Sequence, residues 1–505
     1  MDFPEVTLIS FALLCRLRAN QSIAISTATS LKRLISQSTA ATTTLGSTSI
    51  DTFQPMLSHQ AFDSSAVHEA LLREKMLTRP DAAIVDELSH LTTAQLKSAK
   101  MVSQALWNHT KNIDAATCEA DAESSVFVCD LGEVVRMYRK WRAKFPRIRP
   151  FYAVKCNPDV KIIQVLHELG CGFDCASKGE IATVLALGVP STDIIYANPC
   201  KQPSFVRYAR LVDVSLTTAD NVDELRKIAR FDPSMGVLIR IATDDENAQC
   251  RLSTKFGARM ENVPEILHAA RDLNICVRGV SFHVGSGASD YSSLGKAVAD
   301  AKRVFAMAYA YGFRSLDVLD VGGGFTPEDS QIDEAAKVLN NALEVYFPAQ
   351  LLGPADACVR NVRVISEPGR FFVANAFTLA ANVIAKRSTA DTPDMLYIND
   401  GVYGNLNCIL YDHQHPQAYV LTHEGGSKYR YGEHLLSGNA EHVVSIWGPT
   451  CDGLDCVASE ASLSQLVEVG DWLYFPQLGA YTSAATTQFN GFASDTKVIY
   501  VASEV

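Results

Sequence analysis

The sequence lacks a CxxC motif, a block of basic residues and an apolar run long enough to cross a membrane convincingly. Its 13 cysteines are an odd number scattered over 505 residues, which argues against a disulfide framework or a zinc site and predicts free thiols in a reducing compartment. The formal net charge of -11 argues against nucleic acid or an anionic membrane as the main partner. We therefore expect a cytoplasmic protein without a bound metal.

The first ninety residues differ in composition from the rest. The run VTLISFALLC is too short for a membrane span, and Asp2 and Glu5 stand where a secretory signal needs positive charge. Acidic residues are then absent until Asp51, among many serines and threonines. This composition leaves an organelle-targeting presequence open but favours a poorly ordered extension over residues 1–90.

From about residue 125 onward, short apolar runs of strand character alternate with segments of helical periodicity such as ENVPEILHAARDLN. Eight strands alternating with helices are typical of a (β/α)8 barrel of the TIM type, and other parallel α/β folds rarely reach that count. The eight runs are FYAVK (151–155), CGFDCA (171–176), DIIYAN (193–198), DVSLTT (213–218), GVLIRIA (236–242), VRGVSFHV (277–284), LDVLDVGG (316–323) and VRVISEP (362–368).

Polar residues and a run of three glycines stand at the ends of these strand runs, where the carboxyl ends of barrel strands form the active-site face. Any one of them has an ordinary explanation, since a lysine at a strand end usually just reaches water. Their shared position on one face predicts a functional site. These residues are Lys155, Asp174, Ser177, Asn198, Arg240, His283, Ser286, Gly322, Gly323, Gly324, Glu367 and Arg370.

Glycines after the last two strand runs indicate a phosphate site. The loops after strands seven and eight commonly bind phosphate in such barrels, and here they contain Gly322–Gly324 and Gly369-Arg370. A phosphate together with Lys155 and Glu367 predicts pyridoxal phosphate, held covalently by the lysine and through its ring nitrogen by the acid. A desolvated barrel mouth should lower the pKa of Lys155 and make its amine nucleophilic.

After about Ala376 strands and turns replace the alternation with helices. TLAANVIAKR, MLYINDGVYG, HVVSIWGPTCDG, DWLYFPQLGAYTS and KVIYVAS predict a second domain of β-sandwich or Greek-key type. The run ESSVFVCDLGEVV, before the first barrel strand, is expected to add a strand to it. The predicted organisation is an extension (1–90), a contribution to the β domain (91–130), the barrel (131–376) and the β domain (377–505).

Nine segments, in order, resemble the eukaryotic ornithine decarboxylases, a family with the alanine racemase-like fold. The resemblance covers the chain from about Ser125 and implies pyridoxal-phosphate-dependent conversion of L-ornithine to putrescine and carbon dioxide, in polyamine or derived alkaloid synthesis. It also implies a homodimer with shared active sites and suggests an antizyme-like protein inhibitor as a partner. The segments are RPFYAVKCNPD, GFDCASKGEI, RIATDDENAQCRLSTKFG, GVSFHVGSG, DVGGGF, ISEPGRFFV, NDGVYGNLNCILYDH, IWGPTCDGLD and GAYTSAATTQFNGF.

The resemblance further implies a role for each matching residue. Lys155 would anchor the cofactor, His283 would stack on its ring, and Cys451 would return a proton to the substrate after carbon dioxide leaves. The remaining cofactor-binding residues would be Asp174, Glu180, Arg240, Ser286, Gly322, Gly323, Gly324, Glu367, Pro368, Gly369, Arg370 and Tyr481. The substrate-binding residues would be Tyr403, Tyr411, Asp412 and Asp452.

Three alternatives share parts of this pattern. A decarboxylase of lysine, arginine or diaminopimelate would keep Lys155 but favour a different far pocket, whereas CILYDH and GPTCDG argue for ornithine. A racemase of the same fold is not expected to contain the Cys451 motif. A non-catalytic homologue that acts as a regulatory binding protein should lack some catalytic positions, but Lys155, Glu367, Cys451 and Asp452 are all present.

Overall fold

The computed structural model describes residues 92–114, 116–244, 253–285, 291–350, 354–436, 441–492 and 495–505. The predicted extension over residues 1–90 lies outside these ranges. The described chain begins with helix α1 (Thr93–Thr110) and strand β1 (Val126–Asp130). Within the described ranges, no helix combines the length and the apolar composition that crossing a bilayer requires.

Eight parallel strands close into a barrel, which confirms the predicted fold class and all eight strand runs. The first barrel strand pairs with the last, Ile148 opposite Val364, and this pairing completes the closure. The strands are β2 (Ile148–Ala153), β3 (Gly172–Cys175), β4 (Ile194–Tyr196), β5 (Leu216–Ala219), β6 (Gly236–Arg240), β7 (Cys276–Ser281), β8 (Val318–Asp320) and β9 (Arg363–Ser366).

Helices precede, connect and follow the barrel strands. They pack against the outer face through one large hydrophobic core, while a separate apolar cluster that includes Phe151, Leu238 and Ile365 fills the barrel interior. The interior is therefore a packed core, and only the mouth of the barrel is free for chemistry. The helices are α2 (Leu131–Lys144), α3 (Val160–Glu168), α4 (Lys178–Ala186), α5 (Pro203–Leu211), α6 (Val222–Phe231), α7 (Val263–Asp272), α8 (Ser292–Ala310), α9 (Asp329–Tyr346) and α10 (Arg370–Val373).

A short 3-10 turn, Val154–Cys156, follows β2 and carries Lys155 at the carboxyl end of the barrel. The chain then enters α3, whose first turn is capped by Asp159. The Asp159 carboxylate accepts hydrogen bonds from the backbone N–H groups of Lys161 (2.8 Å) and Ile162 (3.1 Å). The turn is therefore held between a buried strand and a capped helix, which fixes the backbone at the lysine.

The second structural unit is a mixed, mainly antiparallel eight-stranded sheet. Its main order is β12-β17-β10-β11-β15-β16, and β1 pairs with both β10 and β18, so the segment before the barrel adds a strand to this sheet. Helix α11 (Cys408–Tyr411) and the hairpin β13–β14 complete it. The strands are β10 (Phe377–Arg387), β11 (Asp394–Ile398), β12 (Tyr419–Val420), β13 (Thr422–His423), β14 (Lys428–Tyr429), β15 (His442–Trp447), β16 (Cys456–Leu463), β17 (Trp472–Phe475) and β18 (Lys497–Val501).

A loop of the sheet unit touches the Lys155 turn. The N–H of Tyr481 donates to the carbonyl of Cys156 (2.9 Å), and the Asn157 amide donates to the carbonyl of Gly479 (2.9 Å). A Cβ atom at Gly479 would lie 1.8 Å from the carbonyl oxygen of Val373, so only glycine permits this approach. These contacts bring the Tyr481 side chain to the mouth of the barrel.

Candidate active site

A cavity of about 320 Å³ lies at the carboxyl ends of the barrel strands. It joins the loops after β2, β7, β8 and β9 to two segments of the sheet unit. Nine of the residues predicted for the site line this cavity, and they are Lys155, His283, Gly324, Glu367, Gly369, Arg370, Tyr411, Asp412 and Tyr481. Phe325 and Ala485 complete the lining.

Lys155 forms an ion pair with Asp174, whose side chain is buried at the end of β3. The ammonium group donates to Asp174 Oδ2 at 2.6 Å, while the lysine side chain keeps 39% of its exposure, toward the cavity. Burial disfavours the charged amine, but the carboxylates of Asp174 and Glu367 outweigh burial and raise the pKa of Lys155 above its ordinary value. The predicted lowering of this pKa is therefore wrong, because the same pocket that removes water supplies two acidic neighbours.

Glu367 follows β9 and lies beside a second buried acid, Asp320. Burial, followed by the charges of Asp320 and Asp174, raises the pKa of Glu367 well above its usual value. Burial likewise raises the pKa of Asp320, although the N–H of Gly322 donates to its Oδ1 at 2.9 Å. Like charges in a dry pocket resist simultaneous ionisation, so a cation placed against Glu367 would be strongly favoured. A protonated ring nitrogen is such a cation.

His283 is held as a neutral imidazole. Burial, together with the positive charges of Arg240 and Lys155, lowers the pKa of His283 to about 3. Its Nδ1 lies 2.9 Å from the carbonyl oxygen of Val284, which assigns the proton to Nδ1. The neutral ring can therefore lie against an aromatic group without introducing a charge beneath it.

The glycines of the strand-end loops leave room that a side chain would fill. A Cβ atom at Gly323 would lie 2.5 Å from the carbonyl oxygen of Glu367, and one at Gly324 would lie 2.7 Å from that of Val284. Gly324 also has φ +96°, and a Cβ at Gly369 would come within 2.7 Å of a neighbouring side chain. Such a backbone can approach an anion closely, and the guanidinium of Arg370 lies in the same cavity. Together with the lysine and the buried acids, these residues fit pyridoxal phosphate.

Arg370 connects the glycine loops to the far end of the cavity. Its guanidinium forms an ion pair with the carboxylate of Asp412 and lies 5.1 Å from the ring centroid of Tyr481. Both members of the pair are mostly buried, with side-chain exposures of 14% and 10%. The structure thus couples a residue predicted for the phosphate to one predicted for the substrate.

Several predicted residues lie behind the cavity lining. Glu180 accepts a hydrogen bond from the N–H of Ala176 (2.6 Å), and burial raises its pKa. Arg240, the last residue of β6, places its guanidinium carbon 5.2 Å from the ring centroid of Phe256. Ser177 caps α4, and the Asn198 amide donates to a backbone carbonyl. The others are Gly322, Gly323 and Pro368, in the loops after β8 and β9, while Ser286 lies outside the described residues.

Three predicted residues form a separate cluster on the sheet unit. The Tyr403 hydroxyl donates to the carboxylate of Asp452, and the N–H of Leu454 donates to the other carboxylate oxygen at 3.0 Å. These hydrogen bonds hold the pKa of Asp452 below its ordinary value, so it is an anion. Neither residue lines the cavity described above, and Cys451 beside them is exposed. Within the described chain, Cys451, the predicted proton donor, and Lys155 therefore lie in two separate clusters.

Sequence reasoning missed Asp320, Phe325 and Ala485. Asp320 stands two residues before the first of the three glycines, and an acid at the end of an apolar strand run was an available signal. Phe325 and Ala485 have no such signal, because apolar residues in loops are common and only the fold turns these two toward the cavity.

Comparison with known proteins identifies relatives along most of the chain. A family model described as "Pyridoxal-dependent decarboxylase, pyridoxal binding domain" matches residues 131–374. The ornithine decarboxylase of Saccharomyces cerevisiae is 51% identical over 414 residues, covering 80% of this chain and 86% of the yeast protein. Antizyme inhibitor 2 of Xenopus laevis is 45% identical over 388 residues, covering 74% and 80%. The chain is therefore similar both to a protein named ornithine decarboxylase and to one named antizyme inhibitor 2.

Solved structures of decarboxylases share the fold. Arginine decarboxylase of Paramecium bursaria Chlorella virus, bound to agmatine, superposes with a TM-score of 0.68 at 32% identity, covering 75% of this chain and 97% of the viral protein. Lysine/ornithine decarboxylase of Vibrio vulnificus, complexed with putrescine, gives a TM-score of 0.66 at 26% identity, covering 79% and 98%. The barrel and sheet arrangement therefore occurs in decarboxylases of several basic amino acids.

Proposed function

Because the chain belongs to the family of pyridoxal-dependent decarboxylases that includes the eukaryotic ornithine decarboxylases, we propose that it converts L-ornithine to putrescine and carbon dioxide. The observation that carries this proposal is the single cavity that contains Lys155, Glu367 and His283 beside the glycine loops. Lys155 would hold pyridoxal phosphate, Glu367 would hold its ring nitrogen, and Gly324, Gly369 and Arg370 would bind its phosphate. When bound, the cofactor supplies a conjugated, electron-withdrawing ring that accepts the electron pair left by carbon dioxide.

The acidic groups around Lys155 have distinct tasks. Asp174 orients the lysine amine through the 2.6 Å ion pair, and the ammonium proton must leave this pair before the amine becomes nucleophilic. Glu367 would keep a proton on the ring nitrogen of a bound cofactor, since a buried carboxylate beside Asp320 is stabilised by a cation. His283 would cover the ring of a bound cofactor with a neutral face. Asp174, Glu367 and His283 therefore each control the charge at one position of the site.

Recognition of the substrate's second ammonium requires anions away from Lys155. Asp412 lines the cavity but already shares its charge with Arg370, so it offers only part of a counter-ion. Asp452 is a partly exposed anion on the sheet unit. A second carboxylate from Asp452 would complete the receptor for the diamine end, and it must reach the cavity from elsewhere.

We infer that a two-fold dimer brings the cavity that contains Lys155 together with the cluster of Cys451 and Asp452. In this dimer, Cys451 and Asp452 enter the partner's barrel. The exposed side chains around the two groups support this assembly. Tyr411 is 62% exposed at the cavity, and Leu454 is 66% exposed beside the cysteine. Large apolar side chains exposed at both halves of an incomplete site fit a surface that a second copy covers.

Mixing Lys155→Ala with Cys451→Ala protein is expected to restore activity if the site is shared. Random exchange makes about half of the dimers mixed, each with one intact site of two, so activity should approach about a quarter of the wild-type value. Carbon dioxide release from radiolabelled ornithine measures the recovery, and each variant incubated alone is the control. If subunits exchange, as mass spectrometry of tagged chains would show, and the mixture stays as impaired as its components, the shared site is ruled out.

A panel of amino acids tests the substrate assignment. Ornithine should have the highest kcat/KM, with lysine about 10- to 200-fold lower because one extra methylene must be accommodated. Arginine and diaminopimelate should be poorer still, since they present a guanidinium or a second carboxylate to the acidic end of the cavity. A higher kcat/KM for any of these would reassign the substrate, and a folded protein that binds pyridoxal phosphate but releases no carbon dioxide from any would favour the non-catalytic alternative.

The non-catalytic alternative rests on the relative named antizyme inhibitor 2. Against it, this chain contains the residues that decarboxylation needs, including Lys155, Glu367 and Cys451. We also propose a role in polyamine synthesis, as the product putrescine implies. We further propose a cytoplasmic location, since the eleven cysteines that the structure describes are all free, as in a reducing compartment. An antizyme-like protein remains a candidate partner on the strength of the same relative.

A further inference from the structure

The loop Gly448–Asp455 carries Cys451 and is anchored at its ends by a buried acid. The two carboxylate oxygens of Asp455 accept hydrogen bonds from the backbone N–H groups of Val402 and Thr450, both at 2.9 Å. The carbonyl of Asp455 also accepts the N–H of the first residue of the loop. Cys451 itself stands at the exposed tip, so the end anchors alone do not fix its backbone.

At the tip, the backbone N–H of Cys451 donates to the side-chain oxygen of Asn490 at 2.9 Å. Asn490 has left-handed backbone angles, φ +56° and ψ +13°, within the short 3-10 turn Phe489–Gly491. Asparagine adopts this conformation more readily than most residues. This backbone conformation therefore places the side-chain carbonyl of Asn490 within hydrogen-bond distance of the cysteine loop.

The segment around Asn490 is itself held against the same loop. The ring of Phe489 stacks on Tyr403 with centroids 4.6 Å apart, and the N–H of Thr487 donates to the Tyr403 carbonyl at 2.9 Å. Tyr403 in turn donates its hydroxyl proton to Asp452. The segment from Thr487 to Asn490 thus holds two adjacent residues of the loop. It holds Asp452 through Tyr403 and the backbone of Cys451 through Asn490.

We propose that Asn490 is a positioning residue that sets the direction of the Cys451 side chain, and so decides which carbon receives the proton after decarboxylation. This inference rests on the proposed function. A proton donor acts only within hydrogen-bond reach of its target, and a misplacement of about 1 Å is costly. A hydrogen bond to the backbone amide of an exposed cysteine restricts rotation of its backbone. It thereby restricts the directions in which the thiol can point.

The two outcomes of the protonation step have different products. With the proton on the carbon that lost carbon dioxide, ornithine gives putrescine and the cofactor is regenerated. With the proton on the cofactor carbon, ornithine and pyridoxal phosphate give 4-aminobutanal, carbon dioxide and pyridoxamine phosphate. In the second case the substrate carbon is oxidised to an aldehyde while the cofactor takes up the two electrons and the amino group. The ratio of the products therefore reports the position of the donor.

Two substitutions separate the acceptor from the backbone conformation. Asn490→Gly keeps access to the left-handed region but removes the acceptor, and it should raise the pyridoxamine phosphate formed per putrescine by about two- to tenfold, the range that one neutral hydrogen bond controls. Asn490→Asp keeps an acceptor in a residue that tolerates the same backbone angles, so its product ratio should stay near that of the wild type. Mass spectrometry of the cofactor after many turnovers gives this ratio independently of the overall rate.

Asn274→Gly is the matched control, because Asn274 is also exposed and left-handed (φ +54°) but precedes β7, at the opposite end of the barrel. Its product ratio should be that of the wild type. The inference is overturned if Asn490→Gly forms no additional pyridoxamine phosphate, or if Asn490→Asp is disturbed as much as Asn490→Gly, since the acceptor would then be irrelevant. Failure here is distinct from failure of the proposed function, in which the wild-type protein with pyridoxal phosphate would release no carbon dioxide from ornithine.

Discussion

Replacing Lys155 with alanine is expected to abolish the visible absorbance of covalently bound cofactor and to reduce decarboxylation by several orders of magnitude, with the fold retained. The reason is chemical: in the described cavity, Lys155 is the amine beside the glycine loops and Glu367. Absorbance spectra of the protein with added pyridoxal phosphate and carbon dioxide release from ornithine give the two measurements. Circular dichroism checks the fold.

Lys155→Arg is a sharper variant, because it keeps a positive charge beside Asp174 while a guanidinium cannot lose its proton to act as a nucleophile. It should be as inactive as the alanine variant. Lys161→Ala, an exposed lysine in α3, is the matched control and should behave as the wild type. Near-normal turnover by Lys155→Ala would refute the assigned mechanism, whereas near-normal turnover by Lys155→Arg would assign the lysine an electrostatic role.

Replacing Cys451 with alanine is expected to slow putrescine formation by about 10²- to 10⁴-fold, the usual contribution of a positioned proton donor. Part of the remaining flux should produce 4-aminobutanal and convert the cofactor to pyridoxamine phosphate. Chromatography of the amine and aldehyde products, together with mass spectrometry of the cofactor, measures both effects. The loss of rate and the change of product have the same cause, since the carbanion then takes its proton from a less selective source.

Cys456→Ala is the control for Cys451, because it removes a thiol five residues later in the adjoining strand β16 without altering the tip of the loop. It should give putrescine at close to the wild-type rate. Normal product at the normal rate from Cys451→Ala would mean that the thiol is structural. The shared-site proposal would then rest on Asp452 alone, while the assignment of Lys155 would stand.

The barrel could be predicted because its signals are local. Each strand is a short apolar run buried on both faces and each is followed by a helical segment, so neighbouring residues report the architecture. Strand β16 (Cys456–Leu463) was not predicted, because its sequence lacks such a local apolar signal. It is an edge strand of the sheet, its residues are largely small or polar, and only Val457 and Leu463 within it are buried.

The charge state of the site could not be predicted, because it depends on groups that the sequence separates. Lys155 and Asp174 are 19 positions apart, and Glu367 lies far beyond both. Desolvation alone argues for a neutral lysine, but the fold adds two carboxylates, and their attraction exceeds the cost of burial. A prediction from the segment around Lys155 alone therefore includes desolvation but omits the attraction of the two carboxylates.

By itself the sequence determined the eight barrel strands, the strand-end position of Lys155 and the glycine loops, since spacing along the chain sets which residues follow each strand. The tertiary structure alone decided that Arg370 pairs with Asp412, that Cys451 and Asp452 stand apart from the cavity, and that Asn490 holds the cysteine loop. These contacts join residues 39 or more positions apart. The first contact depends on how the barrel and the sheet meet and the second on how distant segments of the sheet unit pack together, and no local pattern of residue types encodes either.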